Sequence, residues 1–314
     1  MSSLYVLMTD QCQLNCPFCY CNFVPDMELN KSKNHIDCDK VVYMINNGFE
    51  GKKFNDVIFH GGEPLLYAKE INYILDRVKV DESFKTRFTV QTNLIYKELS
   101  QEQIKALARI SGYGTSYSKD RFYNRPNGEK NLKYFINNIQ ELDRFGIKGS
   151  LLVTITELQI NKMNPHTLKR FIDYNLSGIN YIIFERPIFP MDLVLKNPDK
   201  YEAIYEEVDK YMSQCIDIFD RDKINLFDLV KNTTTSRPMY PTNCSDFTYT
   251  MNNEVLKFGC PSFEPHEKPF TRKQCLVCRY YKYCKGDCEC LNYVCAFPKK
   301  TFDKVKKICI TENI

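Results

Sequence analysis

The sequence predicts an α/β protein built on a parallel sheet with helices outside it. Three observations carry this. Strand-like and helix-like segments alternate from residue 4 to residue 185. The chemically suggestive residues fall just after the strands. The fifteen cysteines gather mainly at the two ends and leave the alternating body almost without them.

Six strands are read from alternation and from β-branched or aromatic content: Leu4–Met8, Asp56–His60, Arg87–Asn93, Gly112–Ser118, Gly149–Thr156 and Ile179–Glu185. Helical periodicity fills the intervals at Asp39–Gly48, Lys69–Val78, Gln101–Ile110, Glu129–Phe145 and Pro165–Tyr174. Strand then helix, repeated, calls for parallel strands with crossovers. A doubly wound sheet and a full or partial barrel each satisfy this order. A longer helical segment, Asp199–Phe219, follows. A Pro/Thr-rich stretch, "NTTTSRPMYPTN", then leads into the cysteine-rich tail. The basic run "PKKTFDKVKK" near the end reads as a solvated helix face.

Composition excludes several classes. Net charge is +4 in 314 residues, too slight to make nucleic acid the expected partner. "MSSLYVLMTDQ" lacks the basic and apolar regions of a secretory signal. No stretch approaches the ~18 apolar residues of a membrane span. A cytoplasmic protein with no membrane partner is expected. In that setting an odd, high cysteine count argues for metal or cluster ligation over disulfides.

The densest thiols are in "CQLNCPFCYC". Cys12, Cys16 and Cys19 place three thiolates on one short loop after strand one. Three thiolates can hold three corners of a cubane iron–sulfur cluster and leave one iron without a protein ligand. A structural zinc site would want a fourth protein ligand, and Cys21 is poorly spaced to supply it. After strand two stands "HGGEP": two glycines that permit close backbone approach, and Glu63, a carboxylate able to bind an ammonium. In parallel α/β folds such strand-end loops converge on one mouth.

Cys12-x3-Cys16-x2-Cys19 followed by Tyr20, together with Gly61-Gly62-Glu63-Pro64, resembles the signature of the radical S-adenosylmethionine (SAM) enzymes. The resemblance covers the body to about residue 190 and implies a partial (β/α)6 TIM-type barrel. It implies a SAM-binding 4Fe–4S cluster on Cys12, Cys16 and Cys19, with Tyr20, Gly61, Gly62 and Glu63 at the SAM. It implies that one electron from the cluster cleaves SAM to a 5′-deoxyadenosyl radical. In "SYSKDRFYNRPNG", Ser116 and Arg125 are the implied carboxylate and ribose contacts, with Ser118 and Arg121 as rivals. His60 reads as a strand-end packing residue.

Cys275-x2-Cys278-x5-Cys284-x3-Cys288, with Cys244, Cys260 and Cys309, resembles the SPASM extension of the same enzymes. That resemblance implies two auxiliary 4Fe–4S clusters, making three in all. The first takes Cys244, Cys260 and Cys288, and the second Cys275, Cys278, Cys284 and Cys309. The fourth site of the first is open, or filled by Cys290, Cys295, an Asp or substrate; Cys295 is also an alternative to Cys309. The glycine usual at position 255 is a valine here. The implied division is 1–190 barrel, 191–239 helical linker and 240–314 auxiliary-cluster domain. A zinc-ribbon module on Cys275, Cys278, Cys284 and Cys288 is the competing reading.

SPASM-type relatives mostly modify peptides or proteins, so the resemblance implies maturation of a ribosomally made peptide or a protein side chain. Crosslinking ranks first. Epimerisation, with Cys215 facing the mouth as hydrogen-atom donor, follows; otherwise Cys215 is a buried helix cysteine, as Cys38 and Cys21 are bland. Sulfatase-maturase-like oxidation comes third, and a non-catalytic iron–sulfur or zinc module is the alternative outside enzymes. The chain starts almost at strand one, so the peptide is expected to dock directly or through a separate leader-recognition protein. A reductant such as flavodoxin or ferredoxin is the expected electron donor.

Overall fold

The computed structural model describes residues 3–14, 16, 36–49, 51, 53–79, 86–123, 127–187, 189, 191–224, 247–249, 255–257 and 299–312. The six expected strands form: β1 (Ser3–Leu7), β2 (Asp56–His60), β3 (Arg87–Thr92), β4 (Gly112–Tyr117), β5 (Gly149–Thr154) and β6 (Ile179–Glu185). All are parallel to their neighbours, in the order β6-β5-β4-β3-β2-β1. The helices between them are α1 (Cys38–Asn47), α2 (Ala68–Arg77), α3 (Gln101–Arg109), α4 (Lys119–Phe122), α5 (Gly128–Arg144), α6 (Glu157–Lys162) and α7 (Pro165–Asn175). α8 (Met191–Lys196) and α9 (Pro198–Ile218) follow β6. This is the α/β partial barrel expected from the sequence.

Local chemistry explains the helix starts. Ser100 and Gln103 close a reciprocal capping box at α3. Asn164 caps α7 with Pro165 at its first position. Each strand sends alternate side chains to the helices. Leu4, Val6, Val57, Phe59, Leu151 and Val153 are fully buried there. Tyr117 packs on Phe171 of α7, and Phe184 packs on Phe219 just beyond α9. The intervening side chains therefore face the barrel lumen. At its upper levels these include Tyr5, His60, Gln91, Ser116, Thr154 and Glu185. The outer layer is an apolar core, and the inner face mixes these polar groups with Leu7, Ile58, Leu152 and Ile183.

Two features were not legible in advance. A hairpin of β7 (Phe247–Tyr249) and β8 (Val255–Lys257) extends the sheet, with β7 parallel to β1. Val255, where the resemblance led one to look for glycine, opens β8. The C-terminal basic run is not simply a solvated face. It forms α10 (Lys299–Glu312), whose Thr301, Phe302 and Val305 are buried, and α10 packs against α9. The Asp209 carboxylate of α9 accepts from the Lys300 and Thr301 N–H groups at 2.8 and 2.9 Å and so caps α10. The lysines hid this because one apolar face lies between them. No helix among the described residues is long and apolar enough to cross a membrane.

Candidate functional site

The site is assembled where β1, β2 and β3 end. Beyond β1 the chain runs alongside the Gly61–Glu63 loop, backbone to backbone. Met8 N–H donates to His60 O at 2.8 Å, Gly62 N–H to Thr9 O at 2.6 Å, and Glu63 N–H to Gln11 O at 2.8 Å. Gly61 has φ +131°, open in practice only to glycine, and a Cβ there would strike Thr9. A Cβ on Gly62 would stand 2.8 Å from Asp10 O. Sequence reasoning gave these glycines to ligand approach. The close approach found here is to residues 9–11, the segment that leads into Cys12.

Glu63 is fully buried. Its Oε1 accepts from Thr92 Oγ1 at 2.6 Å and from Leu65 N–H at 3.2 Å; its Oε2 accepts from Asn93 N–H at 2.6 Å. Burial raises the Glu63 pKa, and these donors oppose the rise by favouring the charged form. Tyr96 lies close by; burial, then the Glu63 charge, pushes its phenol up.

The loop after β3, "TNLIY", was not assigned a role from sequence beyond its place at a strand end. It is the hub of the site. Asn93 Nδ2 donates to Cys12 Sγ at 3.6 Å, and Leu14 N–H donates to the same sulfur at 3.4 Å. Gln13 Nε2 donates to Ile95 O at 3.2 Å. Asn138 of α5 donates to Leu94 O and Tyr96 O at 2.9 and 2.8 Å and pins the loop from behind. Leu94 sits at φ +53°, a left-handed turn for a buried leucine. The signal available in sequence was an Asn directly after a strand, a residue type that hydrogen-bonds back onto its own turn.

The other strand ends add polar groups. His60 Nδ1 accepts from Gly61 N–H at 2.9 Å, and burial pushes the imidazole down to about 4, so the ring is neutral. Its ring centroid lies 6.3 Å from that of Tyr5 on the lumen face. Ser116, next to last in β4, is half-buried, and Arg121 Nη1 donates to its carbonyl oxygen. Ser118 Oγ and Arg121 Nε are buried with no hydrogen-bond partner among the described residues. At the end of β6, Glu185 is raised to about 7 by burial.

Cys16 is buried and Cys12, four residues earlier, is half-buried. Cys19, Tyr20, Arg125, Cys244, Cys260, Cys275, Cys278, Cys284 and Cys288 lie outside the described residues, as do Cys21, Cys290 and Cys295. Cys309 falls within α10. Cys215 lies in α9 at 0% exposure, in the layer between the helices and the sheet, and burial pushes its thiol up. Its helical neighbours Met212 and Ile216 line a small buried space with Ile182 and Phe184. Cys38, at the start of α1, is half-buried and raised to about 11, chiefly by burial.

The arrangement fits the cluster and SAM. The Cys12 sulfur accepts two N–H donors, as a cluster-bound thiolate does. Glu63 supplies a buried carboxylate, of the charge an ammonium needs. Arg121 and Ser118 offer unpartnered donors, suited to a carboxylate or hydroxyl.

Comparison with known proteins agrees. Residues 6–174 match the family described as the radical SAM superfamily. An uncharacterized protein of Archaeoglobus fulgidus is 27% identical over 209 residues, 64% of this chain and 45% of the relative. One of Methanocaldococcus jannaschii is 29% identical over 192 residues, 59% of this chain and 62% of the relative. The matched region thus spans about half of these relatives' lengths. Among solved structures, anSMEcpe with bound AdoMet is similar with TM-score 0.74 and 16% identity, covering 100% of both chains. Its complex with AdoMet and the Cp18Cys peptide is similar with TM-score 0.67 and 13% identity, covering 99% of this chain and 97% of that one. Streptococcus suis SuiB bound to S-adenosylmethionine is similar with TM-score 0.54 and 14% identity, covering 91% of this chain and 72% of SuiB. At these identities the likeness is one of fold.

Proposed function

The chain belongs to the radical SAM superfamily, and from that premise we propose that it modifies a ribosomally made peptide or a protein side chain. Cys12, Cys16 and Cys19 hold the SAM-binding 4Fe–4S cluster. When bound, cluster and SAM supply homolytic C–H chemistry that no amino-acid side chain provides. The protein's share is to hold, orient and shield.

The observation that carries this reading is the hydrogen-bonded link from Cys12 through Asn93 to Glu63. It joins a cluster-type sulfur to a buried carboxylate. That carboxylate takes the SAM ammonium. Gly61 and Gly62 keep the two loops in contact, and with Tyr20 they contribute to the SAM site. Ser116 and Arg125, or their neighbours Ser118 and Arg121, take the carboxylate and ribose.

Two auxiliary 4Fe–4S clusters complete the assignment, one on Cys244, Cys260 and Cys288 and one on Cys275, Cys278, Cys284 and Cys309. They give a route for electrons leaving the substrate, so crosslinking is the favoured reaction. The division at residues 190 and 239 belongs to the same proposal. A small reductant protein, flavodoxin or ferredoxin, feeds the first cluster. The burial of Cys215 supports its reading as a core residue and weakens epimerisation. The likeness to a structure holding AdoMet and a peptide supports a peptide substrate.

The test is mass spectrometry of a short peptide encoded beside the gene, after anaerobic incubation with reconstituted protein, SAM and dithionite in heavy water. A crosslink removes two hydrogens per bond. An unchanged backbone carrying one deuterium would indicate epimerisation instead. Nucleoside formation with no change in any neighbouring peptide would count against a peptide substrate.

A further inference from the structure

Asn93 is 4% exposed, and its backbone N–H and both ends of its side-chain amide are engaged. Its backbone N–H goes to Glu63 Oε2 at 2.6 Å. Its Oδ1 accepts from Ile95 N–H at 2.8 Å and from Gln13 Nε2 at 3.4 Å. Its Nδ2 donates to Cys12 Sγ at 3.6 Å. The orientation of the amide is not arbitrary. Two N–H donors converge on one end of it, so that end is the oxygen and the other end, facing the sulfur, is the NH2. The left-handed turn at Leu94 brings the Ile95 N–H back to this oxygen. The Asn138 side chain then fixes the turn from outside.

We propose that Asn93 is a positioning residue of the SAM-binding cluster, which holds the Cys12 sulfur by an N–H···S bond and raises the cluster's reduction potential. A donor to a ligating sulfur draws off electron density and stabilises the reduced, more negative cluster, and such hydrogen bonds are among the determinants of cluster potential. The same residue holds Glu63, so electron acceptance and the SAM ammonium site are set by one side chain and its backbone. This rests on the reading of Cys12 as a cluster ligand.

Potentiometric titration of the reconstituted full chain, followed by EPR, reads the relevant cluster as the part of the signal that changes on adding SAM. Asn93→Asp keeps the side-chain volume and the acceptor for Ile95, loses the donor to Cys12 and adds negative charge. Asn93→Ala removes donor and acceptor. In both, the ratio of reduced to oxidised cluster at the parent's midpoint is expected to fall at least tenfold, a displacement of about 59 mV for a one-electron couple. Asn93→Gln, which keeps the donor, is expected to recover part of it. A parental midpoint in both Asn93→Asp and Asn93→Ala would overturn the proposal. Loss of about four irons from Asn93→Asp with an unchanged circular dichroism spectrum would support it. Cys12→Ala separates the two readings: if it keeps the SAM-responsive signal, the ligand assignment fails and the role of Asn93 falls with it.

Discussion

A Cβ on Gly62 would stand 2.7 Å from the carbonyl carbon of Gln11. No side chain is tolerated at that separation, and backbone on both sides leaves nothing soft to move. Gly62→Ala is expected to push the cysteine loop away from β2. The cost is about 1–3 kcal/mol of stability, the range for overpacking, with reduced iron uptake at the first cluster. Chemical denaturation and iron analysis of the reconstituted variant check this.

Glu63→Gln replaces an acceptor by a donor among three fixed donors. An N–H must then face either Asn93 N–H or the Thr92 and Leu65 donors. A loss of about 1–3 kcal/mol is expected from the unsatisfied buried group. SAM affinity is expected to fall at least tenfold as the ammonium loses its charged partner. Calorimetric titration of SAM into the reconstituted variant reads the second effect separately from the first.

Burial pushes Glu185 up to about 7 and His60 down to about 4. Between about pH 4.5 and 7, folded Glu185 keeps a proton that the unfolded chain releases, so its contribution to stability falls as pH rises. Between about pH 4 and 6.5, the unfolded chain protonates His60 while the folded ring resists, so its contribution rises with pH. The two slopes oppose each other. Glu185→Gln is expected to leave stability rising with pH through the acid range, and His60→Gln to leave it falling. Denaturant midpoints from pH 4.5 to 7.5 read both. Parallel profiles in the parent and both variants would contradict the placement of these groups.

Asp209→Ala removes the cap from α10. The expected loss is about 0.5–2 kcal/mol, with only part of it recovered by Asp209→Asn, which keeps one of the two accepting oxygens. Thermal unfolding of the three proteins measures it.

The strands and most of the helices were legible because period-two and period-3.6 patterns are local. β2 and β6 end where alternation ends, at His60 and Glu185. The cysteine loop and "GGEP" were legible because their residue types suit few other purposes. What escaped reading depends on tertiary contacts. The apolar face of α10 is masked by its lysines, and the cap on it comes from Asp209, ninety residues earlier. The β7–β8 hairpin is three residues per strand, too short for a pattern. Asn93 gave no signal of its partners, since Cys12 and Glu63 lie 81 and 30 residues away. The packing of Gly61 and Gly62 on residues 9–11 escaped for the same reason: a sequence shows that backbone must come close, not to what.

The central claim is that Cys12, Cys16 and Cys19 hold a cluster that turns over SAM. The most direct measurement is anaerobic: iron, sulfide and zinc per chain, then 5′-deoxyadenosine formed with SAM and dithionite, in the parent and in a Cys12/Cys16/Cys19 triple-alanine variant. About twelve irons are expected in the parent and about eight in the variant, at four per cubane cluster, with nucleoside from the parent alone. Stoichiometric zinc, no nucleoside and no difference between the two proteins would contradict it.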